Sequence, residues 1–95
     1  MTEKTTTAEA STRAFGQMMT ASMAEGLIDE RTKELIQLAL IIVTKCEPCI
    51  DAHWEKAITM GISPEEIEEV SWMAASMGGA PVRMFFQKWK EKSGK

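Results

Sequence analysis

Apolar positions recur at helical spacing along most of the chain, and five helices account for them. Phe15, Met18, Met19 and Met23 fall on one side of a first helix that Thr7 or Ser11 can cap and that runs through Ala24. Gly26 suits its C-terminal stop. Asp29 is an N-cap for a second helix, from about Glu30 to Thr44, carrying Leu35, Ile36, Leu38, Ala39, Leu40, Ile41, Ile42 and Val43. This helix is apolar almost all the way round, which in a short chain predicts burial against another subunit. The competing element for Leu38 to Val43 is a buried strand, since several of these residues are β-branched.

The third helix is expected to begin within Cys46 to Pro48, where proline fits a first turn whose N–H has no partner. It runs to Met60 and stops at Gly61. Ser63-Pro64-Glu65-Glu66 then opens a fourth helix: Ser63 caps the Glu66 amide, Glu66 reaches back, and Pro64 takes the first helical position. Ile67, Val70, Met73, Ala74 and Met77 define its expected inner face. Gly78-Gly79 breaks the pattern, and Pro81 starts a last helix with Val82, Phe85, Phe86 and Trp89 inward. The expected fold is all-α, a bundle of five to six helices in one domain spanning residues 12–95, preceded by a flexible arm from Met1 to Ser11.

Composition narrows the function. A net charge of −3 gives no broad positive field for a phosphate backbone, so nucleic acid is not an expected partner, and the lysines from Lys88 to Lys95 read as a solvated helix end. No apolar run reaches the roughly 20 residues of a membrane span, and the N-terminus lacks a signal peptide's apolar core, so a soluble, cytoplasmic protein without a membrane partner is expected.

The only two cysteines stand three apart, too close to staple a long loop and well placed for redox chemistry or half a metal site. Cys46-Glu47-Pro48-Cys49 falls at a helix start, where free N–H groups and the helix dipole favour a thiolate; Glu47 works against this with its own charge. One thiol can attack a substrate and the other resolve the product as a disulfide. His53, the only histidine, lies one turn beyond Cys49 on the same face and can take the thiol proton. If the second and third helices form a hairpin turning near Lys45, Glu34 comes level with the stretch from His53 to Ala57, and its carboxylate meets the imidazole. Taken alone, Glu34 reads as a glutamate favouring the dipole at the start of its helix.

Glu34, Cys46, Cys49 and His53 reproduce the glutamate, eleven residues, Cys-x-x-Cys, three residues, histidine signature of alkylhydroperoxidase D-like proteins. Gly61-Ile62-Ser63-Pro64-Glu65-Glu66-Ile67 is similar to that family's turn into the next helix, and the resemblance covers about Gly26 to Phe86. The chain thus resembles the alkylhydroperoxidase D-like branch of the carboxymuconolactone decarboxylase superfamily. That resemblance implies a homotrimer or homohexamer and peroxide reduction or disulfide exchange, the Cys46–Cys49 disulfide being the redox centre with no other cofactor and no metal. It also implies roles: Cys49 becomes the sulfenic acid, Cys46 is its proton donor and disulfide partner, and His53 with Glu34 forms the proton relay. The peroxide-reducing members carry a histidine immediately before the second cysteine, where this chain has Pro48.

Three other readings fit the same residues. Cys46, Cys49, His53 and Glu34 are four potential zinc ligands, although a Cys-x-x-Cys set in a helix start is a poor zinc knuckle. A lactone decarboxylase of the same superfamily leaves the cysteine pair unexplained, and a scaffold subunit leaves the thiols inert. Trp54, Trp72, Met60, Met73 and Met77 can line an apolar pocket for an organic hydroperoxide, or for a thiol or lipoyl-type electron donor, although such stripes are usually core.

Overall fold

The computed structural model describes residues 6–95, which form five α-helices and no strand: α1 (Thr7–Met23), α2 (Glu30–Thr44), α3 (Glu47–Thr59), α4 (Pro64–Gly78) and α5 (Ala80–Ser93). Residues 1–5 of the expected arm lie outside the described residues, and residues 7–11 are helical. The cap of α1 is Thr6, ahead of both expected caps. Its hydroxyl accepts from the Glu9 amide while the Glu9 carboxylate accepts from the Thr6 amide, a reciprocal pair that satisfies two otherwise free donors. α1 buries none of its residues. It is tied down at its C-terminal end, where Lys33 Nζ donates to the carbonyls of Ser22 (2.8 Å) and Ala24 (2.5 Å).

The core is built by α2 to α5. α2 contributes Leu38, Ile41 and Ile42, α3 contributes Ile50, Trp54 and Ala57, α4 contributes Ile67, Val70 and Ala74, and α5 contributes Val82, Phe86 and Trp89. Trp89 packs between Trp54 and Phe86, and its indole N–H donates to Asp51 Oδ1 at 2.6 Å, which satisfies its one polar atom. The α4 stripe is narrower than the sequence pattern: Met73 and Met77 face outward, 68% and 90% exposed. Leu38 to Val43 is helical throughout, so the strand alternative falls.

Local chemistry sets the helix ends. Asp29 accepts from the Thr32 amide, and Ser63 and Glu66 form the expected reciprocal cap. Gly79 alone links α4 to α5; its φ of +90° suits glycine, and a Cβ on its neighbour Gly78 would meet Val82 Cγ2 at 2.8 Å. Across this joint Glu68 of α4 holds Arg83 (2.8 Å) and Lys90 (3.1 Å) of α5.

Candidate redox site

The site lies at the α2–α3 hairpin. α2 ends at Lys45 in the left-handed region (φ 58°), and the amides of Lys45 and Cys46 turn back onto the carbonyls of Ile42 and Ile41, both at 3.2 Å. Cys46 is also the N-cap of α3: its carbonyl accepts from the Ile50 amide at 3.1 Å, and its side chain makes no capping hydrogen bond. Pro48 in the first turn removes one N–H that would have pointed out of the helix end. Cys49 lies in that same turn, and the two sulfurs are joined in a disulfide across a Cα–Cα separation of 5.2 Å. Both cysteines are half-buried. Glu47, whose charge opposes a thiolate, is paired with Lys92 from α5. Both side chains are exposed, so the pairing is weak but of the sign that relieves the repulsion.

His53 follows one turn beyond Cys49 in α3 and is 19% exposed. The hairpin register brings Glu34 opposite it, and His53 Nδ1 lies 2.7 Å from Glu34 Oε2. Glu34 is not a surface glutamate at a helix start. It is 2% exposed and continues the inward stripe Glu34, Leu38, Ile41 and Ile42 at positions i, i+4, i+7 and i+8. With a buried carboxylate as acceptor, Nδ1 carries the hydrogen, which leaves Nε2 free to accept a proton. The second carboxylate oxygen, Oε1, accepts no hydrogen bond from the described residues; the Lys56 ammonium stands 3.4 Å away, within ion-pair reach but outside hydrogen-bonding geometry. Lys56 is the neighbour that reading the sequence missed, and its signal was its place three residues after His53 on the same face.

The clefts lined by Trp72 and Met73 hold neither cysteine. Trp54 is core, while Trp72 lies under the Arg83 guanidinium, 4.5 Å from its ring centroid, and is 58% exposed. Trp72 and Met73 line a groove bounded by Leu35, Glu66, Glu69 and Val70, and Leu35, Ile36, Ala39, Leu40, Val70 and Met73 line an adjoining apolar cleft between α2 and α4. With their sulfurs joined, Cys46 and Cys49 offer no thiolate to a metal in this state. Among the described residues no three His, Cys, Asp or Glu side chains converge on one point.

These features define an all-helical domain with a cysteine pair at a helix start and a histidine–carboxylate couple one turn further on. The chain belongs to the carboxymuconolactone decarboxylase family, whose pattern matches residues 9–89, within the alkylhydroperoxidase D-like superfamily. Its fold is similar to that of a carboxymuconolactone decarboxylase family protein from Legionella pneumophila (TM-score 0.76, 32% identity, 86% of this chain and 73% of that one). A Thermotoga maritima family member, described as a candidate for the antioxidative response, is equally similar (TM-score 0.76, 31% identity, 84% and 82%). Among sequence relatives, protein 4 in the cox locus of Paracoccus denitrificans is 41% identical over 64 residues, 67% of this chain and 58% of that protein. Protein H16_B0147 of Cupriavidus necator is 32% identical over 75 residues, 79% of this chain and 66% of that protein. The chain therefore spans somewhat less than two thirds of the length of these two relatives.

Proposed function

We propose that this chain is a thiol-dependent oxidoreductase that cycles Cys46 and Cys49 between dithiol and disulfide while reducing an organic hydroperoxide or a disulfide. The observation that carries this reading is the Cys46–Cys49 disulfide in the first turn of α3, with His53 one turn on and hydrogen-bonded to the buried Glu34. In the reduced state His53 Nε2 takes the Cys49 thiol proton, and the thiolate attacks a peroxide oxygen. The O–O bond breaks, the alcohol leaves with a proton from the relay, and Cys49 becomes a sulfenic acid. Cys46 then attacks the Cys49 sulfur, water leaves, and the disulfide forms. An external dithiol, of thiol or lipoyl type, returns two electrons and is itself oxidised to a disulfide. With a disulfide substrate the first step is instead a mixed disulfide, resolved by Cys46 in the same way. The candidate antioxidative role of the Thermotoga relative supports this reading. Pro48 stands where the peroxide-reducing members of the family this chain resembles hold a histidine, and this departure weighs against peroxide reduction and keeps disulfide exchange beside it as the reaction of the pair.

Intact mass spectrometry of the reduced protein treated with cumene hydroperoxide or glutathione disulfide tests the order of events. Cys46→Ser is expected to trap Cys49 as a sulfenic acid or mixed disulfide, and Cys49→Ser to abolish the first step. Equal reactivity of the two variants would refute this order. Zinc bound near one equivalent per chain and lost in Cys46→Ser would replace the redox reading with a metal-binding one.

A further inference from the structure

We propose that Lys56 is a positioning residue of the relay: its charge beside Glu34 sets the pH range over which the Cys49–His53 pair gives up its proton. The proposal rests on the redox reading for its biological meaning, but not for its test. Glu34 is a buried carboxylate with one oxygen committed to His53 at 2.7 Å and the other facing Lys56 Nζ at 3.4 Å. Lys56 and His53 are three residues apart on one face of α3, so a single carboxylate from α2 meets both.

An unbalanced buried anion 2.7 Å from Nδ1 holds a proton on the Cys49–His53 pair, and a doubly protonated imidazole cannot take the thiol's hydrogen. The Lys56 ammonium offsets that anion. It is also the ion-pair partner of the Glu34 oxygen that His53 does not use. Of the other charged groups on the packed helices, Glu30, Glu65, Glu69 and Lys88 stay the same in every variant compared below, and those that make ion pairs or hydrogen bonds make them away from Glu34. On α2, Arg31 is paired with Glu66 and Lys33 caps the end of α1. On α3, Glu47 is paired with Lys92, Asp51 accepts from the Trp89 indole, and Glu55 is paired with Lys95. Between α4 and α5, Glu68 holds Arg83 and Lys90. Lys45, exposed in the turn before Cys46, is a cation common to every variant compared below.

The test is the rate of Cys49 alkylation by iodoacetamide between about pH 5 and 9.5 in a Cys46→Ser background, which reads thiolate formation whatever the natural oxidant. Lys56 is 43% exposed and its field is screened, so removing it is expected to move the acid limb of the profile upward by about one pH unit. Lys56→Met and Lys56→Gln should both show this shift with the alkaline plateau unchanged, while Lys56→Arg, which keeps the charge, should retain the original limb. An unmoved limb in the two neutral variants, or a uniform loss of rate at every pH, would overturn the proposal. If the limb moves while the parent protein reduces neither cumene hydroperoxide nor glutathione disulfide, Lys56 keeps its role and the redox reading falls.

Discussion

Replacing His53 with alanine should destabilise the fold, and replacing Glu34 as well should restore it. The hydrogen bond lost in His53→Ala is short, 2.7 Å, and its acceptor is a carboxylate only 2% exposed. A hydrogen bond to a charged group contributes about 1.5–3 kcal/mol, and removing one partner also leaves the other charge unpaired in the interior. Two features reduce the figure. His53 is itself 19% exposed, so water can enter the space it leaves, and Lys56 remains 3.4 Å from Oε1. We expect a loss of about 2 kcal/mol at pH 7, roughly thirtyfold in the folding equilibrium. Glu34→Leu removes the charge and with it the hydrogen-bond deficit at Oε1. It places an apolar side chain in the stripe shared with Leu38, and such replacements of buried ion pairs are often neutral or stabilising. His53→Ala/Glu34→Leu should therefore be more stable than His53→Ala alone by about 2 kcal/mol. Urea denaturation under one fixed redox condition, with all four corners of the cycle compared at constant m-value, measures this. Effects that add within about 0.5 kcal/mol would refute the coupling inferred from the geometry.

Self-association should run through the uncovered side of α2, where Ile36, Leu40 and Val43 are 45%, 54% and 39% exposed. Light scattering is expected to find at least a trimer, and Ile36→Glu/Leu40→Glu a smaller species of unchanged helicity; a stable parent monomer at micromolar concentration would refute this. Acid should loosen the α4–α5 joint. Burial pushes the Glu68 carboxyl up, but the hydrogen bonds and charges of Lys90 and Arg83 outweigh it and hold the group below the usual glutamate value of 4.5. A carboxyl lowered by folding contributes stability that is fully present above that value and is lost as pH falls through its folded pKa. Glu68→Gln should therefore lower stability near neutrality and flatten its decline below about pH 4.5, and an unchanged decline in acid denaturation would contradict the assignment.

The parts of the fold legible beforehand were those fixed by local chemistry. Asp29 and Ser63 mark the starts of α2 and α4 because their side chains bond amides three residues on, an interaction contained within a few residues of sequence. The contact between Glu34 and His53 was also legible, since an antiparallel hairpin turning at Lys45 fixes which residues come level. What helical spacing does not fix is how wide a stripe its neighbours cover. Met73 and Met77 share the inward periodicity of Val70 and Ala74 yet stay mostly exposed, Met73 at the rim of the α2–α4 cleft. The same limit applies to α1, whose Phe15, Met18 and Met19 form an apolar stripe left exposed among the described residues. The burial of Glu34 agrees with the hairpin register and with its position four before Leu38, although a charged side chain taken alone would be placed on the surface.

The burial of Glu34 is hard to explain by stability alone. A carboxylate at this position has one oxygen without a hydrogen bond, whereas a leucine would extend the Leu38, Ile41 and Ile42 stripe without leaving a polar atom in need of a partner. What the carboxylate does supply is a fixed acceptor that selects one tautomer of His53 and directs its free nitrogen away from the core. That service has value only if the nitrogen exchanges protons with something, and one turn back along α3 stands Cys49. The backbone around the pair is equally committed, because the Cys46 amide closes α2 while the Cys46 carbonyl opens α3. Hydrogen bonds of the main chain, not the disulfide, hold the two cysteines in one turn. The geometry needed for the sulfurs to meet is therefore built into the hairpin, and the bond between them can form and break without that hairpin having to be remade.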